Sequence, residues 1–293
     1  AYQAMGLDKP LWQQFLRYVG EVAQGNFGRS ISTGHPVAED LKRVFPATLE
    51  LASLGTLFGV CIGVPLGVIA AARRGGWVDQ VARVVALIGY SMPIFWLGLM
   101  GLLLFYGILG WIGGPGRQGI IYDGMVPTVT GMILVDSLLA GDWGAFRDAF
   151  SHIVLPASLL GYFSLAYISR MTRSFMLEQL SAEYVTAARV AGAGNLRLMF
   201  KTILPNCLAP LIVQATLSFS SAVLDSAALG FLGMGAQPPA SEWGTMLAEA
   251  REFILRAWWV VTFPGLAILI SVLAINLMGD GLRDALDPKL KRS

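Results

Sequence analysis

Long apolar runs constrain this chain more than any other feature of its sequence. A helix needs about 20 mostly apolar residues to cross the hydrocarbon core of a bilayer. Five such runs cover residues 48–72, 84–111, 153–168, 208–232 and 258–278. The second is interrupted at Ser91-Met92-Pro93, where proline should kink or split the helix. The sequence therefore predicts an all-α, polytopic membrane protein with five transmembrane spans.

Composition excludes the other broad classes of protein. Of 293 residues, 55% are hydrophobic and 14% are charged, whereas soluble domains carry about 25% charged residues. A soluble globule or a disordered chain would need more charge than this sequence has. The two cysteines, Cys61 and Cys207, lie inside apolar runs, so a secreted disulfide scaffold is excluded as well.

Four glycines in the first run recur at every fourth position, which places them on one face of a helix. They are Gly55, Gly59, Gly63 and Gly67. Such a face lets a second helix approach closely inside a bilayer. The alternative is that glycine is simply common in membrane helices.

The distribution of lysine and arginine predicts the orientation, because these residues are retained on the cytoplasmic side. Twelve of the 21 lie in three regions separated by two crossings each: Arg73, Arg74 and Arg83; Arg170, Arg173, Arg189, Arg197 and Lys201; Arg283, Lys289, Lys291 and Arg292. The C-terminus is therefore predicted to be cytoplasmic. Five crossings then place residues 1–46 outside as an N-terminal segment, with an amphipathic stretch at 11–22, ahead of a transmembrane domain at 47–293. Because this segment has no export signal of its own, we expect a further span upstream of Ala1, and six spans in the intact protein.

The longest cytoplasmic loop, residues 170–206, is predicted to contain a small helix-turn-helix. Helix-forming stretches at 181–190 and 195–203 flank a turn at 191–194, and Pro205 ends the second stretch. On composition alone, this segment is equally well explained as a solvated connector near lipid headgroups.

This loop resembles the EAA loop of ATP-binding-cassette importer permeases, whose pattern is Glu-Ala-Ala, three residues, Gly, nine residues, Ile-x-Leu-Pro. Matching positions are Ala187, Ala188, Gly192, Leu204 and Pro205. Thr186 and Thr202 depart from it, standing where the family has Glu and Ile. Glu183-Tyr184-Val185 before Ala187-Ala188-Arg189 is similar to the peptide-importer branch.

The resemblance implies a type I ABC importer permease fold and a function in peptide transport. The loop would dock on a cytoplasmic ATPase through Glu183, Ala187, Ala188, Arg189, Gly192, Leu204 and Pro205. It further implies a bacterial inner-membrane location, a second permease subunit, two ATPase subunits that hold ATP and Mg, and a periplasmic peptide-binding protein. Outer loops at 110–119 and 233–247, rich in Trp, Pro and Gly, would face that binding protein. Other cargoes known for this family, namely nickel chelates, glutathione and oligosaccharides, stay open.

Different segments of the chain resemble two different types of permease subunit. Segments within residues 6–60, 89–99 and 169–178 resemble the B-type permease subunit of dipeptide and oligopeptide importers. From about residue 183, and most specifically over 204–290, the sequence resembles the C-type subunit. We therefore predict a composite with a join near 178–190, which could arise as a natural lineage, an engineered chimera or a splice.

Asp225 is an ionisable residue inside the fourth run. Such a group is costly in a bilayer and should face protein or water. It lies either on the translocation path, near a peptide's amino group, or at a helix end with hydrogen bonds to Ser221 or Ser226.

We expect no catalytic residue, metal site, bound cofactor or nucleic-acid partner in this chain, and we expect membrane lipid as a further partner of its spans. His35 and His152 lack partners at metal-ligand spacing, and no GxxxxGK[ST] phosphate loop occurs. The rival class is an ATPase-independent channel or an intramembrane enzyme, which would require a cluster of polar groups inside the spans.

Overall fold

The computed structural model describes residues 10–31, 33–232 and 243–286, and these form helices joined by loops. Within these ranges, β-pairing is limited to an isolated bridge between Arg29 and Pro36. The helices are α1 Leu11–Ala23, α2 Val37–Ala72, α3 Trp77–Ser91, α4 Ile94–Gly101 continued by a π-helical segment Leu102–Ile108, α5 Ile133–Ala140, α6 Trp143–Gln179, α7 Glu183–Val190, α8 Asn195–Arg197, α9 Leu208–Phe231, α10 Trp243–Ala250 and α11 Trp259–Leu286. The all-α prediction is confirmed.

Four helical segments in the described ranges are long and apolar enough to cross a membrane: Val37–Ala72, Trp143–Gln179, Asn195–Phe231 and Trp259–Ala285. The predicted second run is a broken pair, in which Trp77–Ser91 and Ile94–Ile108 meet at 99°. Pro93 stands at this break, because proline cannot continue the hydrogen-bond ladder of the preceding helix. The pair provides a fifth span if both halves are counted as one.

The first and third predicted spans are shorter than the helices that contain them, whereas the fourth, 208–232, agrees within one residue with α9. Helix α2 begins at Val37 rather than residue 48, and α6 extends from Trp143 to Gln179 around the predicted 153–168. Hydropathy detects only the apolar middle of a helix, while polar first turns, such as Glu39 and Asp40 in α2, extend it. Helix α2 also runs through residues 46 and 47, so the proposed division of the chain at that point stays a prediction.

The glycine face of α2 packs against α6, as the spacing predicts. A Cβ built at Gly55 would lie 2.6 Å from the Cβ of Leu160, and one at Gly67 would lie 2.6 Å from the Ser169 carbonyl oxygen. At Gly59 the added atom would collide with Ser164, and at Gly63 it would lie 3.2 Å from Ile168. Any larger residue would therefore push apart the two longest helices of the described structure.

The N-terminal helix α1, predicted as an amphipathic stretch, lies beside the start of α11. Tyr18 and Trp258 have ring centroids 5.6 Å apart, and Phe27 stacks on Phe263 at 4.4 Å. The indole nitrogen of Trp259 donates to the carbonyl oxygen of Arg29 at 3.1 Å. Aromatic packing thus attaches the segment before α2 to the last membrane helix.

The central core is shared by α2, α6, α9, α10 and α11. Its buried side chains are Val44, Leu51, Ala52, Leu160, Ala222, Val223, Ala227, Leu229, Trp243 and Ile268. This core fixes α6 and α9 side by side, and both the cytoplasmic loop and a polar cavity depend on that placement.

Candidate functional site

The loop predicted at 170–206 begins later than expected, because α6 continues to Gln179. The predicted helix-turn-helix is present: α7 covers Glu183–Val190, and α8 with its π-helical extension covers Asn195–Ile203. Between them Gly192 has φ +84°, in the left-handed region that favours glycine. The predicted turn at 191–194 is therefore confirmed.

One face of the loop is buried in an apolar cluster at the end of the helix bundle. Val185 of α7 and Leu198, Met199 and Ile203 of the second helix are at most 2% exposed. They pack with residues of α2, α6, α9 and the turn just before α9: Val68, Ala71, Met176, Leu211 and Cys207. The helix-turn-helix is thus joined by side-chain packing to the adjacent ends of three long helices.

The predicted docking residues divide between the two faces of the loop. Glu183, Ala187, Arg189, Gly192 and Pro205 are exposed, whereas Ala188 and Leu204 are half-buried against the apolar cluster. Their role in docking stays a prediction. Beside the exposed residues lie two that sequence reasoning missed, Val190 at 85% and Leu196 at 74% exposure. Val190 directly precedes the turn 191–194 and Leu196 follows it by two residues, so two apolar residues beside a predicted loop turn could have been noticed in the sequence.

An ion pair connects α6, the helix that leads into this loop, with the first turn of α3. Arg173 Nε donates to Asp79 Oδ1 at 2.6 Å, and Arg173 Nη2 donates to Oδ2 at 2.9 Å. The Asp79 side chain is 1% exposed and also accepts from the Gly75 N–H at 2.9 Å. A two-pronged guanidinium–carboxylate contact fixes orientation as well as distance. It therefore couples α3 to the end of α6.

Asp225 lies on the wall of a polar cavity of about 360 Å³ between α9, α6 and the end of α3. Gln214, Ser218 and Ser221 of the same helix also line it. These four residues are spaced by four, three and four positions, so they form one helical stripe. From the opposite side come polar groups of Ser164, Tyr167 and Tyr90.

One of the two interpretations of Asp225 requires hydrogen bonds to Ser221 or Ser226. Ser226 donates its hydroxyl to the Val223 carbonyl oxygen at 3.0 Å. In the described part of the chain, the Asp225 carboxylate has neither a hydrogen bond nor a salt bridge. The prediction of hydrogen bonds to Ser221 or Ser226 was therefore wrong. The Ser226 side chain is turned into the core, where it is 0% exposed. The polar stripe was missed by sequence reasoning, although its helical spacing is visible in the sequence.

A second set of charges, which sequence reasoning also missed, lies at the opposite end of α2. Glu50 is 4% exposed, and its Oε2 accepts from Arg117 Nη2 at 2.9 Å. The same carboxylate accepts from the N–H groups of Ile133 at 3.2 Å and Leu134 at 2.8 Å. These are first-turn donors of α5 that have no partner within their own helix. Glu50 thus caps α5 from another helix.

Asp136 organises the loop that precedes α5. It accepts from the N–H groups of Val129 at 3.2 Å, Thr130 at 2.8 Å and Gly131 at 3.0 Å, and from the Thr130 hydroxyl at 2.7 Å. Burial opposes ionisation of this carboxyl, but the hydrogen bonds outweigh it and lower the pKa of Asp136 below its usual value. Together, Glu50, Arg117 and Asp136 form what we call the outer network.

Comparison with a family model supplies the context for these features. The model described as "Binding-protein-dependent transport system inner membrane component" matches residues 63–292. That range contains most of the membrane helices, the cytoplasmic loop and the polar cavity. Residues 10–62, with α1 and most of α2, lie outside it.

Curated relatives and a solved structure agree with the family match. The chain is 40% identical over 295 residues to the di/tripeptide transport system permease protein DppB of Pseudomonas aeruginosa, covering 99% of this chain and 84% of that protein. It is 54% identical over 217 residues to DppC of the same organism, covering 72% of this chain and 67% of that protein. An inward-facing structure of the MetNI methionine ABC transporter matches with a TM-score of 0.61 at 21% identity, covering 84% of this chain and 96% of that one. The last comparison shows the fold, which is that of an ABC importer permease.

Proposed function

The chain belongs to the family of binding-protein-dependent transport system inner membrane components, and on this basis we propose that it carries di- or oligopeptides through the membrane as one permease subunit of an ATP-driven importer. Supporting the cargo are relatives named for di- and tripeptide transport, one of them aligned over 99% of the chain. The chain itself is the transport subunit. We assign ATP hydrolysis, with ATP and Mg, to two partner ATPases.

One observation carries the coupling mechanism: the loop is buried on one face and exposed on the other. Its buried face is continuous with α2, α6 and α9, so a displacement of the loop would be passed to the membrane helices as a rigid body. Its exposed face presents Glu183, Ala187 and Arg189 beside Val190 and Leu196. We assign this exposed face to the ATPase, which would move it when ATP closes the ATPase dimer.

The coupling assignment is tested with Ala187→Trp in the reconstituted complex. Ala187 is exposed, so the larger side chain leaves the fold intact but obstructs a closely docked partner. We expect ATP-dependent uptake to fall at least tenfold and the ATPase to be lost from the purified complex. The matched control is Gln80→Ala, exposed on the same predicted side but outside the loop. If Ala187→Trp keeps its ATPase and its uptake, the docking face has been assigned incorrectly.

We assign the polar cavity around Asp225 to the translocation path. Its support is an unpaired carboxylate on a stripe of polar side chains that faces open volume inside the helix bundle. Asp225→Asn should reduce uptake of peptides with a free amino group more than uptake of N-acetylated peptides. Ser226→Ala, one residue along but turned into the core, is the control. Equal uptake of both peptide types by wild type and Asp225→Asn would exclude a path role.

The remaining partners follow from this assignment. A second permease subunit would complete the path, and a periplasmic peptide-binding protein would deliver cargo to the outer loops. We place the C-terminus in the cytoplasm and residue 1 in the periplasm, as the lysine and arginine distribution predicts. Labelling of single cysteines at Arg74 and Ile120 from either side of the membrane tests this orientation, since the two should react from opposite sides.

Cargo is tested by uptake with the purified binding protein present. A labelled dipeptide should be transported, and unlabelled dipeptide should compete with it. A nickel chelate, glutathione and an oligosaccharide should neither be transported nor compete with the dipeptide. Transport of one of these instead would replace the peptide assignment while leaving the permease assignment unchanged.

The composite origin of the chain also stays a proposal. What motivates it is that the chain matches both subunit types, with 54% identity to DppC over 72% of the chain and 40% identity to DppB over 99%. Mass-spectrometric mapping of the natural chain should find a peptide crossing residues 175–190 if the composite is natural. Detection of that peptide from the natural gene would exclude a splice.

A further inference from the structure

A second cavity, of about 400 Å³, opens between α2, α3 and α6 on the predicted cytoplasmic side. Its wall is made of small and apolar residues, including Gly67, Ala70, Ala82 and Ala86. Three arginines, Arg83, Arg170 and Arg173, line the same cavity. An apolar slot bordered by guanidinium groups is suited to an amphiphile with an anionic head.

The arginines differ in how far their hydrogen-bonding capacity is used. Arg173 is held in two contacts by Asp79. Arg83 lies 3.9 Å from the same carboxylate, with a side chain 53% exposed. Arg170 stacks over Tyr90 at 4.7 Å from the ring centroid and has no hydrogen bond or salt bridge in the described ranges. Three arginines thus line the cavity while one carboxylate, Asp79, lies near two of them, and Arg83 and Arg170 retain donors for a ligand.

We propose that this cavity binds an anionic phospholipid of the cytoplasmic leaflet. Its phosphate would lie between Arg83 and Arg170, and an acyl chain would lie against the alanine and glycine wall. A free phosphate would leave the apolar wall without a function, and a neutral lipid would leave the two guanidinium groups unpaired. Gly67 and Ala70 of the cavity wall lie in the last turns of α2, which ends at Ala72. The cavity is therefore near the predicted cytoplasmic surface, within reach of the anionic lipids of that leaflet.

The site also lies where a lipid would matter to the protein. Asp79 and Arg173, which couple α3 to the end of α6, stand at its edge. A bound phosphate would screen the excess positive charge at this junction and so favour the packing of α3 on α6. This role is separate from cargo and would exist in a permease for any substrate.

The test uses the full complex in nanodiscs of phosphatidylcholine with a minor fraction of photoactivatable phosphatidylglycerol. Crosslinks should map to peptides containing residues 82–90 and 167–173. Labelling should fall about fivefold in Arg83→Gln and again in Arg170→Gln, on the order of what one basic residue contributes to anionic-lipid attraction. Arg83→Lys should retain labelling because it keeps the charge. Arg74→Gln, which removes an exposed charge on the same side but outside the cavity, should not change it.

Three results would overturn the proposal. Photoactivatable phosphatidylcholine could label these peptides as strongly as phosphatidylglycerol, which would show that charge does not select the ligand. Soluble glycerol 3-phosphate could abolish the labelling, which would identify a free anion rather than a lipid. A photoreactive residue replacing Leu87 could crosslink to the second permease subunit instead of lipid, which would make the cavity a subunit interface.

Discussion

The two ends of this permease are held together by different kinds of interaction. At the predicted outer end, loops are held by buried charge: Glu50 pairs with Arg117, and both Glu50 and Asp136 accept from backbone N–H groups. At the predicted cytoplasmic end, the helix-turn-helix is held by apolar packing on one face, and its other face carries exposed Val190 and Leu196.

This difference separates stability from function. A buried ion pair is costly to break, because removing one partner leaves the other charged and desolvated. Apolar packing tolerates small displacements of a whole element, and an exposed apolar surface is available to a partner. We therefore expect substitutions in the outer network to unfold the protein, and substitutions at the cytoplasmic tip to abolish coupling without unfolding it.

The largest expected effect is that of Glu50→Ala in the outer network. It leaves the Arg117 guanidinium, with a side chain 17% exposed, and two N–H groups of α5 without their acceptor. The free energy of unfolding should fall by about 3–5 kcal/mol, measured by denaturation of the detergent-purified complex. Asp123→Asn, an exposed carboxylate of the same loop, is the control. Equal midpoints for Glu50→Ala and wild type would mean that the outer network is not what fixes this end.

Asp79→Asn should have a smaller effect, although it also breaks an ion pair. Its partner Arg173 is 23% exposed in the side chain, so water replaces part of the lost contact. We expect a loss of about 2 kcal/mol, in the range of hydrogen bonds to charged groups, by the same measurement. A loss as large as that of Glu50→Ala would contradict the distinction between the two ends, since it would make the cytoplasmic junction equally dependent on buried charge.

These two ion pairs also mark the limit of what the sequence could predict. The spans, the break before Pro93, the glycine face of α2 and the helix pair of the loop follow from periodicity and from proline and glycine, which act locally. The partners Glu50 and Arg117 are 67 residues apart, and Asp79 and Arg173 are 94 apart. Which helices face each other is decided by packing, so no local pattern pairs these residues. Glu50 inside an apolar run and the polar spacing of α9 were nevertheless visible signals that something polar must be buried there.

The cytoplasmic tip should show the opposite balance of effects. Val190→Ser with Leu196→Ser should change the free energy of unfolding by no more than about 0.5 kcal/mol, as is usual for surface positions. The affinity of the ATPase should fall about tenfold, since two exposed apolar contacts at an interface contribute on the order of 1–2 kcal/mol. This is measured by titrating the reconstituted permease with purified ATPase.

Its matched control lies at the outer end, in Ile120→Ser with Ile121→Ser. These side chains are 95% and 82% exposed, so the pair removes comparable apolar surface on the opposite side of the membrane. ATPase affinity should be unchanged. If both double variants weaken the ATPase equally, the exposed tip has no special role.

The smallest effect concerns the pH dependence of the outer network through Asp136. Because its folded-state pKa is lowered, its contribution to stability is complete above the unfolded-state pKa near 3.8 and is lost as the pH falls below that value toward the folded-state pKa. Asp136→Asn lacks this carboxylate, so the variant should unfold earlier than wild type at pH 6, and the gap between them should narrow as the pH is lowered below 4. Thermal unfolding of both proteins across this range measures the gap. A constant gap would mean that the Asp136 charge does not hold the 129–131 loop, and that the outer end depends on Glu50 alone.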